Sequence, residues 1–278
     1  MDELPPLRAL LERAGLWADK RLGQHFLLDL NITRRIARCA GDLRGRAVIE
    51  VGPGPGGLTR ALLEAGADPL IAIEKDARFL PLLEPLVPWS GNRLHIHIAD
   101  ALEIDEATLL EGQNAHIVSN LPYNVATPLM IKWFKAGAWR DSMTLMLQKE
   151  VAERVAAAPR TSAYGRLSVI AQACCAVDYA FTVPARAFTP SPKVESAVIH
   201  LEPRADAYPH LDVLERVTAA AFGQRRKMLR AALRGLAAEL GTSAEDLLAR
   251  ANVSPTARAE EIDLAGFIAL AEFVRSGT

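Results

Sequence analysis

Ala47-Val48-Ile49-Glu50-Val51-Gly52-Pro53-Gly54-Pro55-Gly56-Gly57-Leu58-Thr59-Arg60-Ala61-Leu62-Leu63 is the stretch that decides the fold. A short, mostly β-branched run forms a strand, a glycine loop follows it, and a helix begins at Leu58. That order is the first strand-to-helix turn of a doubly wound α/β sheet. Glycines let a ligand come close to the backbone, and a helix start favours an anionic group. Pro53 and Pro55 remove two N–H donors from the loop, which suits a pyrophosphate poorly. A smaller nucleoside ligand fits better, and a nicotinamide oxidoreductase is disfavoured.

Three further strands extend the sheet from this turn. Leu70-Ile71-Ala72-Ile73 ends in Glu74, where an acidic side chain can accept both hydroxyls of a ribose. Leu94 to Ile98 ends in Ala99-Asp100, with Asp100 placed to accept from an adenine amine. Each acid alone reads as an exposed strand-end carboxylate; two of them beside a glycine loop read as a nucleoside pocket. His95 and His97 share one half-buried strand face, and no third ligand stands at metal-site spacing, so no metal is expected.

Ala115 to Ser119 is a buried strand that delivers Asn120-Leu121-Pro122-Tyr123-Asn124. Pro122 fixes its own φ and keeps Leu121 out of helical geometry, so the Asn120 side chain and the Leu121 carbonyl can point the same way. Two acceptors aimed together suit an exocyclic amine, whose lone pair they turn towards an electrophile. Tyr123 adds a flat face on which a flipped-out base can stack. Taken alone, these five residues are better explained as a strand end before a helix starting at Thr127-Pro128.

At 278 residues, 50% hydrophobic and 23% charged, the chain is globular and reads as one large and one small domain. Leu4 to Leu16 has the spacing of a lid or arm helix, and a second helix capped by Asp29 carries Arg34, Arg35 and Arg38. The basic run from Lys20 to Arg46 reads equally as a solvated face or as phosphate contact. Ser142 to Leu147 is a fifth strand. Lys149 to Ala157 and Leu167 to Cys175 are helices, and Val177 to Val183 with Val194 to Leu201 form a hairpin at the sheet edge. Between those two strands lies a proline-rich loop containing Pro184, Phe188, Pro190 and Pro192. Beyond Pro203 only helical spacing remains, so the domains are expected at 1–203 and 204–278.

Arg226, Arg230 and Arg234 recur every fourth residue and, with Gln224, Arg225 and Lys227, make a basic stripe. Contact with an RNA backbone is favoured there over ordinary solvated arginines. With a formal net charge of -1, any such surface is a local patch. Cys39, Cys174 and Cys175 form no disulfide framework and read as reduced core residues, which places the protein in the cytoplasm. None is placed as the nucleophile of a cytosine methyltransferase. No run approaches ~18 apolar residues and no basic-then-apolar leader is present, so a soluble protein without a membrane partner is expected.

Together these motifs resemble the ribosomal RNA adenine N6,N6-dimethyltransferases that act on bacterial small-subunit RNA, within the S-adenosylmethionine-dependent methyltransferases. The resemblance covers nearly the whole chain. It is carried by Lys20-Arg21-Leu22-Gly23-Gln24-His25-Phe26-Leu27, Glu50-Val51-Gly52-Pro53-Gly54, Ile73-Glu74, Asp100-Ala101 and Asn120 to Asn124. Met146 to Val151, Ala163 to Ser168, Phe181 to Ser196 and Phe222 to Lys227 add to it.

The resemblance implies a Rossmann-like class I fold with a seven-stranded, mostly parallel sheet and a small all-helical C-terminal domain. It implies S-adenosyl-L-methionine as cofactor, contacted by His25 (usually Asn in the family), Leu27, Gly52, Glu74, Asp100, Ala101 and Asn120. It further implies that Asn120, Leu121, Pro122, Tyr123 and Phe181 serve catalysis, with Tyr123 and Phe181 beside the target adenine. The expected substrate is small-subunit ribosomal RNA or an immature small subunit, dimethylated at two adjacent adenines near its 3′ end during ribosome biogenesis, by a monomer. The runner-up within enzymes is a relative that methylates large-subunit RNA. The alternative from another class is an assembly or scaffolding protein that binds nucleic acid.

Overall fold

The computed structural model describes residues 4–16 and 25–277. Lys20 to Gln24 of the quoted motif therefore lie outside the described residues. The chain divides into two compact units, Met1–Ala152 with Asp178–Glu202, and Glu153–Val177 with Pro203–Thr278.

The first unit is built on β2 (Ala47–Val51), β3 (Leu70–Glu74), β4 (Leu94–Ile98), β5 (Ala115–Asn120), β6 (Arg140–Gln148), β7 (Cys175–Val183) and β9 (Ser196–Pro203). They form one seven-stranded sheet in the order β4-β3-β2-β5-β6-β9-β7, with β7 continuing across the division between units. The strands β4 to β6 pair in parallel, and β9 runs antiparallel to β6. Every residue of β2 and β3 is buried, as expected where helices cover both faces of a parallel sheet. Strand order reverses between β2 and β5, so a crevice opens beyond their carboxyl ends. Gly52 and Asn120 both stand at that opening.

Helix α2 (Leu30–Cys39) begins where Asp29 accepts the Asn31 N–H at 2.8 Å, and it buries Ile36 and Ala37 in one core with Leu58 and Leu62 of α3 (Gly57–Glu64). The arm helix α1 (Leu7–Ala14) buries Leu7 and Leu11, and Arg60 of α3 donates to the Pro5 carbonyl at 2.8 Å. A separate two-stranded ribbon pairs β1 (Phe26–Leu27) with β8 (Phe188–Thr189), Leu27 opposite Phe188.

The second unit is helical apart from the start of β7. It holds α8 (Arg166–Cys174), α9 (Leu211–Gly223), α10 (Leu229–Ala232), α11 (Arg234–Glu239), α12 (Ala244–Arg250) and α13 (Leu264–Ser276) around Leu214, Val217, Leu233, Phe267 and Leu270. Two features differ from the sequence reading. Residues 153–177, expected in the first domain, cluster with the second unit because α8 is tied to it: the Arg204 and Tyr208 N–H groups donate to Cys174 O and Ala173 O, both at 2.9 Å. The expected single basic helix is broken. Met228 is extended and bridges Arg258, and the Leu229 N–H donates to Ala257 O at 2.8 Å, so Arg226 lies in a turn before the short α10 and α11.

Candidate active site

Two cavities meet at the carboxyl ends of β2, β3 and β5. The first is walled by His25, Leu27, Gly52, Glu74, Asn120, Leu121, Pro122 and Tyr123, with Glu50, Phe79 and Phe188. The second, a cleft of about 610 Å³, is walled by Glu74, Asp100 and Ala101, with Lys75 and Leu102. Gly52, Glu74 and Pro122 belong to both, so the two form one elongated site.

The glycine loop is shaped for close approach. Gly52, Gly54 and Gly56 adopt φ values of +71°, +52° and +85°, which disfavour other side chains. A Cβ on Gly57 would stand 2.7 Å from the Leu27 carbonyl oxygen, so the arm strand and the loop touch only because that residue is glycine.

Glu74 is 5% exposed, and its oxygens accept the Gly54 N–H at 2.9 Å and the Asp76 N–H at 2.8 Å. Burial raises its pKa above the ordinary value in spite of these bonds, and each oxygen keeps a second lone pair for a hydroxyl. Glu50, three residues earlier in the chain than Pro53, is 1% exposed, and among the described residues its Oε2 has no hydrogen-bond partner. Burial, opposed by Thr59 and reinforced by Glu74, pushes it up to about 8, so it is mostly protonated at neutral pH. Asp100 is the opposite case. Lys75 Nζ donates to it at 2.6 Å and the Leu102 N–H at 3.0 Å, and these hold its carboxyl below the usual range. The turn after Asp100 is fastened by Lys132 of α6 (Ala126–Lys135), which donates to the Ala101 and Ile104 carbonyls and pairs with buried Glu106 at 2.8 Å.

Asn120 ends β5 on the cavity wall, and among the described residues its side chain has no recorded hydrogen-bond partner. The Pro122 carbonyl is occupied by the Val125 N–H, whereas the Leu121 carbonyl has no recorded partner among the described residues. The two acceptors anticipated from the motif are therefore both open. Tyr123 is held from two sides: its hydroxyl bonds Ser196 Oγ at 2.8 Å, and its ring lies 5.6 Å from the His25 ring.

Not every anticipated residue gathers here. Phe181 packs in the core with the Arg35 guanidinium 3.8 Å above its ring, and the aromatic from that segment on the cavity wall is Phe188. The β1–β8 pairing carries Phe188 there, a contact between distant segments with no local signal. Glu50 was also missed, although an acid inside an apolar strand was a visible anomaly. In the second unit Arg225 is spent on Glu260 at 2.7 Å and on the Ser162 carbonyl, while Arg226, Lys227, Arg230 and Arg234 are exposed. Among the described residues no cluster fits a metal ion, and no helix is long and apolar enough to cross a membrane.

A protein from Phenylobacterium zucineum named ribosomal RNA small subunit methyltransferase A is 59% identical over 276 residues, covering 98% of this chain and 93% of that one. One of the same name from Caulobacter vibrioides is 57% identical, covering 94% and 98%. Of solved structures, a dimethyladenosine transferase from Plasmodium falciparum matches with a TM-score of 0.77 at 24% identity over 91% of this chain and 98% of that one. The 23S rRNA methyltransferase ErmE matches at 0.66 and 26% identity, over 90% and 99%. The fold is thus that of the class I S-adenosylmethionine-dependent methyltransferases. The family described as ribosomal RNA adenine dimethylase matches residues 16–274, and this chain belongs to it.

Proposed function

We propose that the chain transfers methyl groups from S-adenosylmethionine to N6 of two adjacent adenines near the 3′ end of small-subunit ribosomal RNA, twice on each nitrogen. The observation that carries this reading is the pair of open acceptors, Asn120 and the Leu121 carbonyl, on the wall of a cavity lined by glycines and buried acids.

The residues present fit the cofactor. An unpartnered buried oxygen on Glu50 and a cradle at Gly57 that a Cβ would fill both face this need. Gly52 and Leu27 would border the methionine part, Glu74 would accept the ribose hydroxyls, and Asp100, beside Ala101, would accept from the adenine amine while still accepting from Lys75. When bound, the cofactor supplies a methyl carbon activated by a positively charged sulfur, which loses its charge on transfer.

The remaining work is alignment. Asn120 Oδ1 and the Leu121 carbonyl would hold the two N6 hydrogens of the target, turning its lone pair out of conjugation and towards the methyl. Pro122 keeps that carbonyl fixed. Tyr123, and Phe188 in the place expected of Phe181, would stack on the flipped base and exclude water. In the helical unit Arg226, Lys227, Arg230 and Arg234 would contact phosphates, with Arg225 acting as an internal pin. We take the protein to act as a single chain in the cytoplasm.

Replacing Asn120 with Ala tests the reading. Methyl incorporation into immature small subunits should fall by about 10²- to 10³-fold, with RNA affinity retained. Incorporation at the wild-type rate would contradict it.

A further inference from the structure

We propose that Ser196 is a positioning residue for the target adenine and acts through Tyr123: its hydroxyl ties the stacking ring to the strand that also carries the register of Asn120. This rests on the reading above and deepens it, because it concerns how the face of the base and its amino edge are held in one frame.

Ser196 is fully buried and stands behind Tyr123 rather than on the cavity wall. Its Oγ lies 2.8 Å from the Tyr123 hydroxyl oxygen, and among the described residues neither hydroxyl has another hydrogen-bond partner. Tyr123 is half-buried in the loop between β5 and α6, where only packing and this bond restrain its side-chain torsions. The His25 ring, 5.6 Å away at 33°, limits the tilt of the tyrosine from one side. The bond to Ser196 fixes the far end of the ring, which a ring contact alone leaves free to slide.

The anchor itself is rigid. Ser196 opens β9 and stands opposite Gln148 of β6. Glu195, just before it, is clamped twice: the Lys149 N–H donates to its carbonyl and Lys149 Nζ to its carboxylate, both at 2.9 Å. Ala197, Val198 and Ile199 follow, all fully buried. On the same strand β6, Met146 stands opposite Asn120 on one side and Val198 on the other. Asn120, which takes the amino edge of the base, and Ser196, which fixes the ring beneath its face, are therefore both referred to β6.

That shared frame matters because the N6 lone pair must face the methyl carbon in line, and a displacement on the order of 1 Å costs a large factor in rate. Freeing the Tyr123 ring lets the base rock about its amino clamp. Contacts of the RNA backbone elsewhere are untouched, so the loss falls on the transfer rate and not on RNA affinity.

The test compares wild type, Ser196→Ala, Tyr123→Phe and the double variant on immature small subunits, measuring single-turnover methyl transfer at saturating S-adenosylmethionine, RNA affinity and melting temperature. Each single variant should slow transfer about tenfold with RNA affinity within about twofold of wild type. The double variant should be no slower than the slower single one, because both remove the same bond. A merely structural serine would instead lower the melting temperature and slow the Tyr123→Phe protein further. Ser196→Cys keeps the fit but weakens the bond, and gives the same comparison if Ser196→Ala does not fold. Wild-type rates in the serine variants, or losses that multiply in the double variant, overturn the inference. Absence of N6 methylation by the wild type overturns the reading it rests on.

Discussion

Glu74 ends β3 and Asp100 follows the neighbouring parallel strand β4, and both face one elongated site, yet their surroundings push them in opposite directions. Glu74 is buried among apolar walls, with a raised pKa and only backbone N–H partners. Asp100 faces a wider cleft and is held ionised by Lys75, whose side chain is 73% exposed. The first cavity thus keeps lone pairs on buried groups, where hydrogen bonds are strong. The second keeps a charge in reach of water, where pairing counts for little. Tight recognition should therefore reside at the glycine-loop end, and the adenine end should tolerate change.

Four substitutions probe that contrast. Gly57→Ala should have the largest effect, since its Cβ would meet the Leu27 carbonyl and push the arm strand off the loop. Methyl transfer should fall about 100-fold in initial-rate assays. Glu74→Gln should come next, because its amide must turn N–H hydrogens towards the Gly54 or the Asp76 N–H. Cofactor affinity by calorimetry should drop about 10- to 100-fold, or about 1–3 kcal/mol.

Glu50→Gln tests how dry the first cavity is. The folded pKa of Glu50, about 8, lies above its ordinary value of 4.5, so the folded state keeps a proton that the unfolded chain loses. Its contribution to stability is present below pH 4.5 and lost progressively as pH rises to about 8. The variant should melt ~4–8 °C above wild type at pH 8, equivalent to about 2 kcal/mol, with the difference vanishing near pH 4. A gap independent of pH would mean that the carboxyl is hydrated. Lys75→Met should do least, changing cofactor affinity by less than about threefold. A tenfold change would erase the distinction between the two ends.

Much of the first unit was legible because its signals are local. The glycine loop, the acids ending β3 and following β4, and the proline after Asn120 each declare themselves within a few residues. What escaped depends on contacts between distant segments. Phe188 reaches the cavity through pairing with Leu27, and Phe181, the apparent candidate, is covered by Arg35. Arginines at every fourth position looked like one helix, but the Met228–Arg258 bridge interrupts it and Glu260 takes Arg225. Residues 153–177 cluster with the helical unit for a similar reason: helical spacing in residues 166–174 says nothing about which core the helix joins.

The most direct measurement is the chemical identity of the product. The protein would be incubated with labelled S-adenosylmethionine and immature small subunits, the RNA digested, and the label mapped to base and atom. Label confined to N6 of two adjacent adenines near the 3′ end, two methyls on each, is the result this account predicts. Label on another base, on another adenine atom, or only on large-subunit RNA would contradict it.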